Sequence, residues 1–355
     1  MSVTRRQVLH GIAGLAGLPI LLAACGQGTP SPASTTPATT GGGGSTPANR
    51  TIAVLLAGSS TDKGFMQAGF SGAQRAERDL GARLVVKEGV KPTDADLEAA
   101  LRDLARSSGA GLIIAHGGQN AAAVRKVAPE FTSVMFAITQ SDVTGPNVGG
   151  FEVLQEESAW LAGAAAGLLT TTNVVGHMSG IRPIPGLKGR AAYAAGVAHA
   201  NPTAKLLTNF SGDQDDVALA KRIATAEINE GADIIFTMLN AGRPGVGEAM
   251  KELGKGRQIG NVRDWTQEDP SVFVASAVAD SGQASYLAAK SFIEGRFEPG
   301  KHTTIGLEDE QAVRLTLAPD VPADVRRKIE DYKRQIVEKK ITVTTEYSGP
   351  EFNPG

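Results

Sequence analysis

Polar and aromatic side chains stand directly after the first apolar run of the chain. The run Ile52–Ala57 breaks into Gly-Ser-Ser-Thr, and Asp62, Lys63, Phe65 and Gln67 follow. A carboxylate and an amide offer directional hydrogen bonds, and an aromatic ring offers a flat face for stacking. Because these groups follow a buried strand, the stretch predicts a loop that binds a small polar molecule.

Similar groups follow later apolar runs. They are His116 and Gln119 after "GLIIA", Arg182 and Lys188 after "NVVGHM", Asn240 and Arg243 after "DIIFTM", and Asp264 and Trp265 after "QIGNV". In parallel α/β sheets, ligands bind beyond the carboxyl ends of the strands, where helices begin. These loops therefore predict one shared binding region.

The elements that must position these loops alternate along the chain. Short β-branched runs such as "ARLVVKE" and "SVFVASAV" alternate with stretches of helical length such as 94–107 and 217–230. This alternation predicts βαβ units, and hence parallel sheets covered on both faces. The predicted fold class is α/β, with two doubly wound lobes joined near Phe151.

The first fifty residues predict export and a lipid anchor. Arg5 and Arg6, which resemble a twin-arginine signal, precede an apolar stretch that fits a signal peptide and is too short to span a bilayer. That stretch ends in Leu-Ala-Ala-Cys, which resembles the bacterial lipobox, so Cys25, the only cysteine, is predicted to carry the lipid. Residues 1–24 are then the signal peptide. Residues 25–49, uncharged and rich in Gly, Pro, Ser, Thr and Ala, are predicted to be a disordered tether.

The composition argues against several other classes. The formal net charge is -2, and no basic patch indicates nucleic-acid binding. There is no Gly-x-Ser-x-Gly elbow, no Walker loop and no metal-ligand spacing of histidines. Glu156 and Glu157 open a predicted helix, where acids interact favourably with the positive end of the dipole. We therefore predict no catalytic site, metal or cofactor.

Four segments resemble the basic membrane protein (BMP) family, the lipoprotein solute-binding components of ABC transporters, many of which bind purine nucleosides. They are "EESAWLAG" (156–163), "AAYAAGVAHANP" (191–202), "GADIIFTMLNAGRPGVG" (231–247) and the loop at 62–67. The resemblance covers about 51–347. It implies a monomer with a type I periplasmic-binding-protein-like fold, a small-molecule ligand, permease and ATPase partners, and no enzymatic activity.

The resemblance also implies where the lobes close. They would hinge at Phe151 and at a second crossing near Ala275–Ala279. The first lobe would comprise 50–150 with about 275–306. The second would comprise 151–274 with about 307–347.

The resemblance assigns roles in binding and shows departures from the family pattern. Phe65 would stack on a flat ring, while Asp62, Gln119 and Asp264 would make directional hydrogen bonds. Met66 replaces a family asparagine, and the segment "GNVRDW" (260–265) keeps only the second of two family aspartates. The implied ligand-binding set is Asp62, Lys63, Phe65, Met66, Gln67, His116, Gln119, Asn240, Arg243, Asp264 and Trp265.

The expected function is that of an extracytoplasmic solute-binding lipoprotein of an ABC importer. A nucleoside or nucleobase-like ligand is expected, with His116, Gln119 and Trp265 supplying replacement stacking and hydrogen bonds. A sugar derivative or a cationic amine stays open as the ligand. A ligand sensor for a membrane partner and an exported enzyme stay open as functions.

Overall fold

The computed structural model describes residues 49–62 and 64–355. The predictions made for Cys25, the signal peptide, the tether up to residue 48 and Lys63 lie outside the described residues. Within them, the two predicted α/β lobes are confirmed, and each is built on a six-stranded sheet. The helices in this part of the chain all lack the combination of length and apolar composition that a membrane crossing requires.

The first sheet is parallel throughout and has the order β11-β5-β4-β3-β1-β2. Its strands are β1 (Thr51–Leu56), β2 (Arg83–Lys87), β3 (Leu112–His116), β4 (Met135–Thr139), β5 (Val148–Val153) and β11 (His302–Ile305). The central strands β1 and β3 are buried along their whole length. Apolar residues at consecutive positions are what a strand covered on both faces requires.

The second sheet has the order β12-β10-β9-β8-β6-β7. Its strands are β6 (Val174–Ser179), β7 (Lys205–Phe210), β8 (Ile234–Met238), β9 (Arg257–Val262), β10 (Phe273–Ala279) and β12 (Val313–Leu317). Strands β6 to β10 are parallel, whereas β12 is antiparallel to β10 at the edge.

Helices cover these sheets. They are α1 (Phe65–Leu80), α2 (Asp94–Ser107), α3 (Ala121–Val127), α4 (Gln155–Leu169), α5 (Ile184–Ala200), α6 (Val217–Asn229), α7 (Arg243–Leu253), α8 (Ser281–Ile293) and α9 (Ala323–Val337). Helix α1 packs against α8 in the first lobe, and α4 packs against α5 in the second. Helix α4 is buried on nearly every side, which explains why it is apolar all round.

The chain passes between the lobes at three places. The first is Leu154, which follows β5, so Phe151 lies inside the last strand before the crossing. The second is Asp280, because β10 belongs entirely to the second sheet. The predicted boundary at Ala275 is therefore wrong, and the strand lies in the second lobe. The third passage is the segment 306–312, between β11 and β12.

Glu156 and Glu157 lie in the first turn of α4, as expected. Their side chains also contact residues at the places where the chain passes between the lobes. The backbone N–H of Leu307 donates to Oε2 of Glu157 at 2.8 Å. Lys188 on α5 lies 2.7 Å from Glu152 on β5 and 3.5 Å from Glu156. Burial raises the pKa of both helix glutamates. The first turn of α4 is thus where side chains of both lobes meet.

Glu227 is an acid buried inside the second lobe. Because it is buried, we predict that it makes the stability of the protein depend on pH. Its side chain is fully buried, accepts a 2.6 Å hydrogen bond from Asn209 and has one unpaired oxygen. Burial raises its pKa well above the ordinary 4.5. Unfolding therefore releases a proton once the pH exceeds 4.5, and the contribution of this group to stability falls as the pH rises.

We expect Glu227→Gln to remove this dependence, because glutamine has the shape of the protonated acid and does not titrate. We expect urea unfolding from pH 4 to pH 7.5 to show that the free energy of unfolding of the variant, relative to that of the wild type, increases by up to about 1.4 kcal/mol per pH unit. Glu230→Gln, at the exposed end of the same helix, is the control and should run parallel to the wild type. If the stability of Glu227→Gln and that of the wild type change with pH in parallel, the carboxyl of Glu227 ionises as easily in the folded protein as in the unfolded chain.

Candidate functional site

A cleft of about 470 Å³ lies between the lobes. Helix α1 supplies one wall, and the ends of β9, β10 and β12 supply the other. The lining residues are Gly64, Gln67, Ala68, Ser71, Val262, Arg263, Asp264, Val278, Asp280, Gln311 and Arg314. Of the predicted ligand-binding set, Gln67 and Asp264 line this cleft.

Asp62 holds the start of α1. Its carboxylate accepts backbone hydrogen bonds from Gly64, Met66 and Gln67 at 2.8, 3.1 and 3.0 Å. These are N–H groups that have no partner inside the first turn of a helix, so the carboxylate acts as an N-terminal cap. In this structure, the role predicted for Asp62 in ligand binding competes with a structural role.

We expect Asp62→Ala to lower the free energy of unfolding by about 0.5–2 kcal/mol, the usual cost of a lost cap. Asp79→Ala, which removes an acid from the last turn of the same helix, is the control, because its exposed pairing with Arg78 contributes little. Chemical denaturation of both variants measures the difference. Equal stability of Asp62→Ala and the wild type would contradict the capping role.

Phe65 stacks on His116. The ring centroids are 4.3 Å apart, and the planes meet at 27°. His116 is fully buried, and burial lowers its pKa to about 4, so the imidazole is neutral. Its Nε2 donates to the carbonyl of Phe65, and its Nδ1 accepts from the hydroxyls of Thr139 and Ser285. His116 therefore supports the phenylalanine from beneath, because both of its ring nitrogens are already bonded within the lobe.

The Gly64 end of α1 touches the second lobe. A Cβ on Gly64 would lie 2.7 Å from the side-chain oxygen of Asn240, which follows β8. The predicted loops after β1 and β8 are thus brought face to face. Gly64 leaves room for this close approach, because a larger side chain would fit only if the side chain of Asn240 moved away.

Arg243 and Trp265 pack on each other instead of facing open space. The guanidinium of Arg243 lies 4.3 Å from the indole centroid, and that of Arg263 lies 3.9 Å from it. Arg243 is buried, donates to Leu239 O and Asn261 Oδ1, and has its pKa lowered to about 9 by burial. Arginine side chains thus already cover the indole on which replacement stacking was expected.

Asp264 is held in place on the cleft wall. Its Oδ1 accepts from Thr266 N and Oγ1 at 2.9 and 2.6 Å, and from Thr316 Oγ1 at 2.8 Å. Val262, two residues earlier, has a φ of 71°. A β-branched residue rarely adopts this conformation, and such strain is concentrated at ligand clamps and switches. The backbone at the end of β9 is therefore shaped to bring Asp264 into the cleft.

The other described residues of the predicted set do not line the cleft: Asp62, Phe65, Met66, His116, Gln119, Asn240, Arg243 and Trp265. Met66 packs against the apolar core of the lobe. Gln119 is half-buried and donates to the carbonyl of His116 at 3.3 Å.

Several lining residues were not predicted as ligand-binding. Asp280 follows β10, so the rule that placed the other loops also applies to it. Gln311 precedes the edge strand β12 and Arg314 lies within it, and no sequence pattern indicated them. Burial raises the pKa of Asp280, which caps α8 through the backbone N–H of Gly282 at 2.9 Å. Among residues 49–62 and 64–355, no cluster of three or more His, Cys, Asp or Glu side chains could hold a metal ion.

Comparisons with known proteins agree with this architecture. A family model described as ABC transporter substrate-binding protein PnrA-like (Bmp) matches residues 49–348. Basic membrane protein A of Borreliella afzelii is 24% identical over 300 residues, which cover 82% of this chain and 90% of the relative.

Two solved structures have the same fold. A solute-binding protein of an ABC transporter system from Aeropyrum pernix K1 matches with a TM-score of 0.73 and 22% identity, covering 84% of this chain and 94% of that one. A transcriptional activator of the comK gene from Bacillus halodurans matches with a TM-score of 0.71 and 22% identity, covering 82% of this chain and 99% of that one.

The family match spans both lobes and the cleft, and this family consists of proteins that bind solutes without converting them. The predicted resemblance to this family is therefore confirmed. The chain belongs to the Bmp family of PnrA-like ABC transporter substrate-binding proteins.

Proposed function

We propose that this protein is a lipid-anchored, extracytoplasmic solute-binding component of an ABC importer, and that its interlobe cleft takes a nucleoside or nucleobase-like ligand. The observation that supports the ligand class is the Phe65–His116 stack at the start of α1, where Phe65 directly follows the lining residue Gly64. An aromatic ring backed by a buried neutral ring is held rigidly, so stacking a flat ligand on it costs little entropy.

The groups beside Phe65 fit the polar edge of such a ligand. Gln67 and Asp264 approach the cleft from opposite walls. Phe65 would cover the ring of the ligand, and these two side chains would bind its polar edge. The lobes would then close about Leu154 and Asp280. The permease, which the ATPase subunits drive, would then recognise the closed form.

Mass spectrometry of the natively purified protein tests the ligand class. We expect a co-purifying compound with the mass of a nucleoside or a nucleobase. A sugar derivative or an aliphatic amine as the sole bound compound would contradict this proposal and leave the family assignment intact.

The lipid anchor has its own test. Cys25→Ser is expected to move the protein from membranes into the exported soluble fraction without changing its melting temperature, because the thiol is the proposed acylation site. Replacement of Arg5 and Arg6 by lysine tests the export route separately, and it should block export by the twin-arginine route. A serine variant that still sediments with membranes after a high-salt wash would refute the anchor.

A ligand sensor is the second candidate function. The observation in its favour is the fold shared with a transcriptional activator of comK. Uptake of the co-purifying ligand by cells that lack this protein distinguishes the two functions. Loss of uptake supports the importer, and unchanged uptake supports the sensor.

A further inference from the structure

The C-terminal segment, residues 347–355, places a carboxylate between two arginines of the second lobe. Nη1 and Nη2 of Arg182 donate to the two oxygens of Glu351 at 2.9 and 2.5 Å, and Nη1 of Arg190 donates to Oε1 as well. Paired parallel hydrogen bonds of this kind give both strength and geometric specificity. The two arginines hold the pKa of Glu351 at about 2.

An aromatic ring supports the two arginines. Both guanidinium groups lie over Phe210, at 4.4 Å for Arg182 and 4.8 Å for Arg190. The ring of Tyr347 lies 4.7 Å from the guanidinium of Arg190. Cations stacked on aromatic faces keep a fixed orientation, so the donors stay aimed at the same point.

Arg190 requires an anion at this point. Its side chain is only 8% exposed, and its Nε has no hydrogen-bond partner. A buried guanidinium without a counter-charge is costly, because its desolvation is not compensated. Glu351 supplies this charge, yet it lies beyond the family match, which ends at residue 348. The arginines and Phe210 lie inside that match.

The position is one at which α/β sheets bind ligands. Phe210 is the last residue of β7, and Arg182 closely follows β6, the parallel neighbour of β7. Ligands bind at the carboxyl ends of such strands. These residues do not belong to the lining of the cleft described above.

The carboxylate is also open to exchange. The side chains of Arg182 and Glu351 are 51% and 37% exposed, so solvent reaches the pair. The segment is further attached by Phe352, whose N–H donates to Thr208 O on β7 at 2.7 Å and whose ring packs on the core of the lobe. Phe352 can keep the segment in place when the carboxylate leaves.

We propose that Arg182, Arg190 and Phe210 form a carboxylate-binding site, which Glu351 occupies as a tethered ligand and from which a carboxylate-bearing solute displaces it. Because a tethered group has a high effective concentration, only a solute that makes additional contacts competes with it in the wild type. Removing the tethered carboxylate exposes the affinity of the site for simple anions.

Chemical rescue tests this proposal in the full chain. Glu351→Ala removes the atoms that acetate can replace. We expect sodium acetate, compared with sodium chloride at equal ionic strength, to raise the melting temperature of this variant in the manner of a bound ligand. Calorimetry should show acetate binding roughly tenfold or more tighter than to the wild type. Glu346→Ala, which removes an exposed acid nearby, is the matched control and should behave as the wild type.

Three results would overturn the proposal. They are no effect of acetate on Glu351→Ala, an equal effect on the double variant R182Q/E351A, and stabilisation by inorganic phosphate but not by acetate. If the alanine variant does not fold, Glu351→Gln replaces it, because the amide keeps the shape and removes the charge. Acetate should then bind that variant more tightly than the wild type, and equal affinity would overturn the assignment. None of these measurements uses the cleft ligand, so failure here leaves the proposed function untouched.

Discussion

Gly72→Ala is expected to destabilise the protein by about 3 kcal/mol, although alanine is favoured over glycine inside a helix. Gly72 lies in the middle of α1, where a Cβ would stand 1.9 Å from the carbonyl oxygen of Gly282 at the start of α8. A backbone atom cannot rotate away as a side chain can, so the two helices would have to separate. Because α1 carries Phe65 and Gln67, ligand affinity should fall together with stability.

Gly186→Ala is the matched control for this prediction. Gly186 also lies in a helix, α5, but the nearest atom to its added Cβ would be 3.4 Å away, on a proline ring. Denaturant unfolding should show this variant equal to or more stable than the wild type. If Gly72→Ala is equally well tolerated, the close packing of α1 on α8 is not what fixes the cleft wall.

Phe65→Ala is expected to weaken binding of the co-purifying ligand by more than tenfold, about 1.4 kcal/mol. The substitution removes the ring that we propose covers the ligand, and it leaves His116 without its stacking partner. Some stability should also be lost, because an aromatic pair contributes about 0.5–1.5 kcal/mol. Calorimetric titration beside ligand-free melting separates the two effects.

Phe65→Leu distinguishes stacking from simple burial. Leucine keeps most of the apolar volume but has no flat face, so the variant should stay close to the wild type in stability and still bind weakly. A leucine variant with wild-type affinity would show that the ring does not contact the ligand.

The sequence was sufficient to predict the two lobes, because apolar strand runs and helical stretches alternate with little ambiguity. It was not sufficient to assign β10 to its sheet. "FVASAVA" is apolar on both faces, as any central strand must be, and periodicity does not reveal which neighbours it pairs with. The antiparallel edge strand β12 was missed for a related reason, since pairing direction is decided by the path of the chain.

The candidate site was predicted in part. The rule that ligands bind at the carboxyl ends of strands led to Gln67 and Asp264, which line the cleft. The rule did not reveal that Asp62 caps a helix or that arginines cover Trp265, because both depend on contacts that form only in the folded chain. The pairing of Arg182 with Glu351 joins positions far apart in sequence, and no local pattern indicates it.

Titration of the full chain with its co-purifying ligand, followed by analysis of the recovered compound, tests solute binding in the interlobe cleft most directly. We predict one ligand bound per chain, a rise in melting temperature that follows the logarithm of ligand concentration, and recovery of the ligand unchanged. Gly64→Val, which would force the side chain of Asn240 away from α1, should weaken the binding. Recovery of a converted product, or a melting temperature that does not change with ligand concentration, would contradict the proposal that this protein binds a solute between its lobes.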